Sequence, residues 1–101
     1  MPTIEQTING IIFEWDTDKY ELVLNNHGVQ FEEAISVFFD PNELSYEDTR
    51  GYEEVRYITI GMSHQGRLLF VSWTQRATNI RLITAFKAEK SHQRSYANAN
   101  R

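Results

Sequence analysis

Apolar residues in the first part of the chain follow the period of a strand and then that of a helix. Residues 10–15 form a short apolar run, which predicts a strand. Asp16 follows this run and is placed to cap a helix, because its carboxylate can accept hydrogen bonds from the first free backbone N–H groups. Gly28 is expected to end that helix, since glycine adopts a positive φ at little cost. Spacings of three and four put one set of side chains on a single face of the helix: Tyr20, Val23, Leu24 and His27.

A second helix is predicted shortly after this glycine. It begins near Phe31, and proline at position 41 is expected to stop it, because proline disfavours the helical conformation of the residue before it, Asp40. The apolar face of this helix consists of Phe31, Ala34, Ile35 and Phe38.

The period changes to that of strands after Pro41. Three β-rich runs follow at residues 57–62, 68–74 and 80–86, and residues 44–47 are a candidate for a shorter strand before them. Short polar segments separate the three runs, which predicts an antiparallel meander. The middle run has apolar side chains at both odd and even positions, so both faces of the sheet should be covered at least in part.

The order of the predicted elements defines the fold class. A final helix over residues 88–97 completes an α+β fold: a short N-terminal strand, two helices, an antiparallel meander of three to four strands and a C-terminal helix. Residues 1–101 are interpreted as one domain, in which residues 1–9 and 98–101 are expected to be flexible tails.

Composition narrows the class of protein. Hydrophobic residues make up 41% of the 101 positions and cysteine is absent, which is typical of a globular chain without disulfides and is compatible with a reducing compartment. No apolar stretch approaches the roughly 20 residues that a membrane span requires, and no basic region followed by an apolar core marks the N-terminus. We therefore expect a cytoplasmic protein that does not associate with a membrane.

Acidic and basic residues are segregated along the chain. Thirteen of the 14 acids lie at or before Glu54, nine of the 10 bases lie at or after Arg50, and the net charge is −4. Two explanations remain open: the two halves attract each other within the fold, or they face different partners. An acidic chain attracts a polyanion only where its positive charge is concentrated.

The predicted strands carry cations that suit a phosphate ligand. A guanidinium fork matches the geometry of a phosphate group, and an antiparallel meander can bring several such groups to one face. Arg81 and Lys87 have the same parity within one strand, which predicts that they share a face. The competing interpretation is that the cations pair with the early acids. The candidates are Arg56, Arg67, Arg76, Arg81 and Lys87.

Histidine is the other candidate for chemistry. His27 is a possible acid or base, because imidazole titrates near neutral pH, although its position beside Gly28 equally suits a structural role. His64 and His92 lie far from it in the sequence, and no carboxylate pair keeps metal-ligand spacing with these histidines. Neither a metal nor another cofactor is expected.

A series of short motifs between about Phe13 and Tyr96 has the order and spacing that are typical of one known family. The motifs are Phe13-Glu14-Trp15-Asp16, His27-Gly28-Val29, Phe31-Glu32-Glu33-Ala34, Val37-Phe38, Asp40-Pro41, Arg56 with Thr59-Ile60-Gly61, Gly66-Arg67-Leu68-Leu69, Thr74 with Arg76, Ile80-Arg81-Leu82-Ile83 with Ala85, and Lys87-Ala88. With this set the chain resembles the BrnT family of bacterial ribonuclease toxins.

The resemblance implies a function as well as a fold. It implies a compact relative of the RelE fold, an endoribonuclease that cleaves RNA without a metal, and a cognate antitoxin that neutralises it. The antitoxin is expected to be of the ribbon-helix-helix type, and the chain by itself is not expected to bind DNA. Within this function Arg56 and Arg81 are the predicted catalytic residues, and Arg67, Arg76 and Lys87 the predicted RNA-binding residues.

The chain departs from the family pattern at four places. Val23 stands in place of an asparagine, Asn26 in place of a lysine, Phe86 in place of an arginine, and His92-Gln93 in place of a glutamate and an arginine. Three of these changes remove positive charge or a polar group. The alternative function is therefore a catalytically weakened family member that acts as a protein-binding or regulatory module.

Overall fold

The computed structural model describes residues 2–101, which form one six-stranded sheet, three α-helices and one 3₁₀ turn. The α+β class, the N-terminal strand, the antiparallel meander and the C-terminal helix predicted from the sequence are confirmed. In chain order the elements are β1 (Thr3–Ile8), β2 (Ile11–Asp16), α1 (Thr17–His27), α2 (Phe31–Ser36), the 3₁₀ turn (Val37–Phe39), β3 (Leu44–Asp48), β4 (Arg56–Met62), β5 (Leu68–Arg76), β6 (Asn79–Lys87) and α3 (Lys90–Ala99).

The sheet is mixed, with the strand order β1-β2-β6-β5-β4-β3. Strands β3 to β6 are the predicted meander, each antiparallel to the next. Strand β2 joins the meander in parallel, where Phe13 pairs with Ile80 and Glu14 pairs with Arg81. The sequence does not predict this parallel pair, because the connection between its two strands includes the whole helical region and three other strands.

Residues 3–8 differ from the prediction of a flexible tail over residues 1–9, of which residue 1 lies outside the described residues. Thr3–Ile8 form β1, which pairs with β2 in a hairpin that runs from Thr3 opposite Asp16 to Ile8 opposite Ile11. The turn is Asn9-Gly10, and both residues have positive φ, 51° and 80°. Asn-Gly is the preferred sequence of a two-residue type I′ turn, so the signal for this hairpin was present in the sequence.

The predicted C-terminal tail is also partly ordered. Helix α3 extends to Ala99, two residues beyond its predicted end. The side-chain amide of Asn100 then donates hydrogen bonds to the backbone carbonyls of Asn42 and Tyr96, both at 2.9 Å. The last turn of α3 is thereby connected to the segment before β3.

The main core lies between the sheet and helices α1 and α2. Its largest fully buried side chains come from every layer: Phe13 of β2, Phe31 and Ile35 of α2, and Leu69 of β5. Trp15 is also buried here and packs edge-on against Phe31, with ring centroids 5.7 Å apart. The helical stripe predicted for α2 is therefore the face that the core buries, which fixes the register of that helix on the sheet.

The opposite face of the sheet carries a smaller core under α3. Ile58, Ile60, Phe70 and Ala88 form it, and no residue of α3 itself is buried. The helix is attached mainly by Tyr96, whose hydroxyl donates a 2.7 Å hydrogen bond to the Asp40 carboxylate. Burial and the neighbouring carboxylate raise the pKa of Tyr96 to about 12.

A β-bulge in β6 changes which side chains share a face. Ser72 lies opposite Thr84, but Trp73 lies opposite Leu82, so Ile83 is an additional residue in β6. Counting residues by twos along β6 therefore gives the wrong face for side chains on the other side of Ile83. Arg81 points to the α3 face together with Thr74 of β5, whereas Lys87 lies opposite Leu69, on the face that α1 and α2 cover. The prediction that Arg81 and Lys87 share a face is wrong for this reason.

The predicted caps of α1 and the predicted stop of the second helical segment at Asp40 are confirmed. The Asp16 carboxylate accepts hydrogen bonds from the backbone N–H groups of Asp18 at 2.8 Å and Lys19 at 3.1 Å, and these bonds lower the pKa of Asp16. Gly28 ends α1 with a φ of 67°. Helix α2 tightens into the 3₁₀ turn before it stops at Asp40. Within residues 2–101 no helix has the length and apolar character needed to cross a membrane.

We expect Gly28→Val to lower the free energy of unfolding by about 1 kcal/mol or more, because a β-branched residue is strained at positive φ. A Cβ at this position would meet no other atom within 4 Å, so the loss isolates the backbone conformation. Gly28→Asn is the matched control and should lose less, since asparagine tolerates this region. Equal unfolding free energies for parent and Gly28→Val, measured in urea, would contradict this explanation.

Candidate functional site

A groove of about 640 Å³ lies on the α3 face of the sheet. It begins at the loop between β3 and β4 and ends at the N-terminus of α3, so that the middle strands form its floor. Its floor includes Ile58, Phe70, Ser72, Thr84 and Phe86, and its ends include Tyr46, Asp48, Arg50, Tyr52 and Arg56 on one side and Glu89 and His92 on the other. This groove is the candidate functional site, because it combines an apolar floor with a few polar groups.

The first end of the groove contains two arginines, Arg50 and Arg56, next to the acids Glu47 and Asp48. Arg56 extends from the first position of β4, with its guanidinium 4.0 Å from the centre of the Tyr52 ring. Its Nε donates a 3.3 Å hydrogen bond to Glu54, and the side chain is 26% exposed, so the pair is partly open to solvent. Stacking on tyrosine restricts the guanidinium without occupying all of its donors.

Arg50 provides a second cation at this end, but a carboxylate binds it. Its Nε and Nη2 donate to the two oxygens of buried Asp48, at 2.8 and 2.7 Å. The hydroxyl of Tyr52 also donates to Asp48, at 3.2 Å. Hydrogen bonding from Arg50 is the main cause that lowers the pKa of Asp48, and it raises the pKa of the guanidinium in turn. This network holds the loop at the edge of the groove.

The second end of the groove is aromatic. Phe70 of β5 and Phe86 of β6 stack with their ring centroids 4.4 Å apart. The His92 ring packs on Phe70 at 4.7 Å, and the His27 ring packs beside Phe86 at 5.4 Å. His27 is therefore near the groove rather than inside it, on the other side of Phe86.

The described part of the chain does not bring together a set of metal ligands. No group of three or more His, Asp or Glu side chains within residues 2–101 is arranged to hold one ion. His92 lies 6.3 Å from Phe86, between ring centroids, with His27 beyond that phenylalanine. His64 lies elsewhere, in the turn between β4 and β5.

The two predicted catalytic arginines lie in one row across the sheet. Arg56 is opposite Thr74, and Thr74 is opposite Arg81, so both arginines project from the α3 face. Neighbouring strands are about 5 Å apart, which separates the two backbones by about 10 Å. Only Arg56 of this pair lines the groove.

Arg81 is bound to an acid of the N-terminal hairpin. Its Nη1 donates to Glu14 at 2.5 Å, and the side-chain amide of Asn79 donates to the same carboxylate at 2.9 Å. Burial alone would raise the pKa of Glu14, but these bonds and the charges of Arg81 and Arg76 lower it. Arg76 is exposed at the end of β5, close enough to contribute to this effect.

Arg67 lies away from the groove, at the opposite end of β5 from Arg76. Its Nε donates to Glu33 of α2 at 2.9 Å, and its Nη2 contacts the second carboxylate oxygen. The Ser63 hydroxyl also donates to Glu33, at 2.7 Å. Glu33 is almost fully buried, and the bond from Arg67 is the largest cause that lowers its pKa. The two side chains connect α2 to the turn between β4 and β5.

The five predicted cations therefore do not form one cluster. Arg56, Arg76 and Arg81 lie towards one end of the sheet, whereas Arg67 and Lys87 lie towards the other. Lys87 is exposed beside His27 and Asn26, in a smaller hollow of about 500 Å³ that adjoins the groove at Phe86. The catalytic and binding roles of these residues remain predictions.

Arg50, Tyr52 and His92 line the groove without having been predicted from the sequence to do so. The sequence signal for Arg50 and Tyr52 is weak, because they lie in the loop between β3 and β4, which has neither the apolar period of a helix nor that of a strand. His92 could have been placed from Glu89, since the two residues have the spacing of a helix cap.

The fold and the groove define a small α+β protein whose mixed sheet carries two helices on one face and a cation-edged groove on the other. Residues 15–92 match the model of the family described as ribonuclease toxin, BrnT, of type II toxin-antitoxin system. The match covers more than half of the chain, and the protein belongs to the BrnT family. This confirms the family that the sequence motifs predicted.

A solved structure has a similar fold. The crystal structure of the Brucella abortus ribonuclease toxin BrnT matches with a TM-score of 0.52, over 75% of this chain and 94% of that chain. The two sequences are 17% identical, so the match shows a common fold. No curated protein matches the chain.

The Glu33–Arg67 pair gives a prediction for stability. Arg67→Met should lower the free energy of unfolding at pH 7 by about 2 to 3 kcal/mol, because it leaves a buried carboxylate unpaired. The Glu33 side chain is 2% exposed and that of Arg67 is 30% exposed. Arg56→Met is the matched control: its partner Glu54 is 40% exposed, and the loss should stay below about 1 kcal/mol.

The same pair should make stability depend on pH. The folded-state pKa of Glu33 is below its unfolded value, so its contribution is complete above an unfolded pKa of about 4.3 and is lost as the pH falls through the folded value. The difference between parent and Arg67→Met should therefore shrink as the pH falls, first because the unpaired Glu33 of the variant becomes protonated and then because that of the parent does. A difference that stays constant in urea titrations from pH 7 to pH 3 would contradict this assignment.

Proposed function

We propose that this chain is a toxin that cleaves RNA at the groove without a metal and is neutralised by a cognate antitoxin. The family match over residues 15–92 is the observation that carries the proposal. The position of the groove supports it, because this part of the surface combines a partly exposed guanidinium with aromatic rings. Such a combination suits a single-stranded nucleic acid, which offers both phosphates and unpaired bases.

The proposed chemistry depends on cations placed at the phosphate. In the proposed cleavage the 2′-oxygen of RNA bonds to the adjacent phosphorus while the bond from phosphorus to the 5′-oxygen breaks, and the proton of the 2′-hydroxyl is transferred through water to the leaving 5′-oxygen. Negative charge develops on the phosphate oxygens during this step, and a preorganised guanidinium stabilises that charge. Arg56 is the best-placed donor, since Tyr52 restricts it and only a partly exposed glutamate competes for it. Arg81 lies two strands away on the same face and is proposed to act together with Arg56.

The remaining cations are proposed to bind RNA outside the reacting centre. Arg76 and Lys87 are exposed at opposite ends of the sheet and suit contacts with flanking phosphates. His27, the possible acid or base of the sequence analysis, lies beside Phe86 at the other end of the groove from Arg56, so it is not proposed to act on the phosphate that Arg56 contacts. Arg67 can contribute only through the part of its guanidinium that Glu33 leaves free.

The proposed partners are RNA and one protein. The antitoxin is proposed to be a ribbon-helix-helix protein, as the resemblance implies, and the chain by itself is not proposed to bind DNA. Both partners are expected in the cytoplasm.

One observation favours the alternative of a catalytically weakened, protein-binding member. Four arginines form ion pairs with carboxylates, which reduces the positive charge available to RNA in a chain with a net charge of −4. A protein of this kind would still bind its antitoxin, but it would not cleave RNA. The two functions differ in what the chain does when it is produced alone.

Production of the chain alone in bacteria should arrest growth and degrade cellular RNA, because no antitoxin is then present to neutralise it. Co-production with the protein encoded by the neighbouring reading frame should restore growth. Growth and RNA would be followed together with the amount of soluble chain. Normal growth with intact RNA, at confirmed soluble production, would reject the toxin and favour the protein-binding module.

Arg56→Ala should slow cleavage at saturating RNA by roughly 100-fold or more, because a donor directed at developing charge acts mainly on the turnover rate. Arg81→Ala should do the same if the two arginines act together. Single-turnover cleavage of a single-stranded RNA measures this effect, and binding over a range of salt concentrations separates it from loss of affinity.

Arg94→Ala is the matched control, since Arg94 is an exposed arginine of α3 that does not line the groove. It should cleave at the parental rate. Folded Arg56→Ala and Arg81→Ala variants that cleave as fast as the parent would reject their catalytic assignment, whatever their affinity for RNA.

A further inference from the structure

One ring nitrogen of His92 holds the helix cap and the other is free. Nδ1 accepts a 3.3 Å hydrogen bond from the backbone N–H of Glu89, while the Glu89 carboxylate accepts one from the backbone N–H of His92. These two bonds form a capping box at the start of α3. Nε2 makes no hydrogen bond with any of residues 2–101 and is not buried.

The cap determines which nitrogen carries the proton. A nitrogen that accepts a hydrogen bond has no hydrogen of its own, so the neutral ring carries its proton on Nε2. A doubly protonated ring would direct Nδ1–H at the N–H of Glu89 and lose the cap bond. The tautomer with the proton on Nδ1 would lose it as well. In the conformation that closes the cap, Nε2 is therefore a donor.

The surroundings of the ring place this donor in the groove. The ring lies against Phe70, on the groove floor, with Phe86 next to it. The nearest charged group on its own helix is Glu89, which the cap already engages. Across the groove are Arg56 and the paired Arg50 and Asp48, and His27 lies on the other side of Phe86.

The donor and Arg56 are at different ends of the groove. Arg56 lies opposite Thr74, and Thr74 is four residues along β5 from Phe70, on which His92 packs. Four residues of a strand span about 13 Å, so Arg56 and the phenylalanine on which His92 packs lie at opposite ends of the groove.

We propose that His92 is a neutral hydrogen-bond donor to RNA, which binds a phosphate oxygen through Nε2–H and neither takes up nor releases a proton during cleavage. This inference rests on the proposed function, since it takes the groove to be where RNA binds. It assigns the two ends of the groove to different nucleotides of one strand: Arg56 contacts the reacting phosphate and His92 a neighbouring one.

The test compares variants that keep or remove the donor. In His92→Gln the side-chain oxygen can close the cap as at other capping-box positions, and the amide N–H can replace Nε2–H. Its affinity for a 2′-O-methyl RNA oligonucleotide, which cannot be cleaved, should stay within about threefold of the parent. His92→Ala removes the donor and should bind about tenfold more weakly or worse, the value of a hydrogen bond to a charged acceptor.

His64→Ala is the matched control, because His64 is exposed in the turn between β4 and β5, away from the groove. Its affinity should equal that of the parent. Thermal unfolding of each variant shows whether the fold is retained, and ¹⁵N NMR of the histidine ring in the parent gives an independent measurement. The spectrum should show a protonated Nε2 and an unprotonated Nδ1 at pH 8.

Each outcome decides between the proposals. A parent that binds RNA, together with an equally tight His92→Ala, rejects the role of His92 alone. A proton on Nδ1, or the loss in His92→Gln of a titrating limb of the cleavage rate between pH 5 and pH 8, rejects the neutral donor in favour of acid-base chemistry. A folded parent that binds no RNA rejects the proposed function and this inference together.

Discussion

The sheet depends on the parallel junction between β2 and β6. Two residue pairs join these strands, and the Glu14 carboxylate strengthens the junction by accepting hydrogen bonds from Arg81 and Asn79. Arg81 lies 67 residues after Glu14, so this contact connects the N-terminal hairpin to the meander. Helices α1 and α2 follow the hairpin directly. Where these helices pack on β5 and β6 therefore depends on where the hairpin joins β6, and the main core lies next to that junction.

The segregated charge of the sequence is explained in part within the fold. Arg67 with Glu33, and Arg81 with Glu14, each join a base of the second half to an acid of the first. The interpretation that the halves attract each other therefore holds for these two pairs. Arg56 is different, because its partner Glu54 is local and partly exposed. The site that remains for a polyanion is smaller than the composition of the second half suggests.

Local signals in the sequence predicted local structure, but they did not predict which distant strands and side chains pair. Asp16 and Gly28 place the ends of α1 because capping chemistry is contained in a few neighbouring residues. The parallel pair of β2 with β6 has no such signal, since the residues of one strand do not indicate which distant strand pairs with it. The bulge at Ile83 had the largest effect on the site: counting by twos put Arg81 and Lys87 on one face, and a single additional residue separates them. The sequence marks His92 as a departure from the family pattern, but its place in the groove follows only from the position of α3 on the sheet.

Helix α3 forms one end of the groove without burying any residue of its own. Its connections to the rest of the molecule are the Tyr96–Asp40 bond, the bonds of Asn100 and the packing of His92 on Phe70. Elements with little buried apolar surface open at a lower free energy than a central strand does. We therefore expect α3 to open at a lower free energy than the main core, and such an opening would extend the groove over Ile60 and Phe70. The length of the groove would then depend on how often this helix is in place.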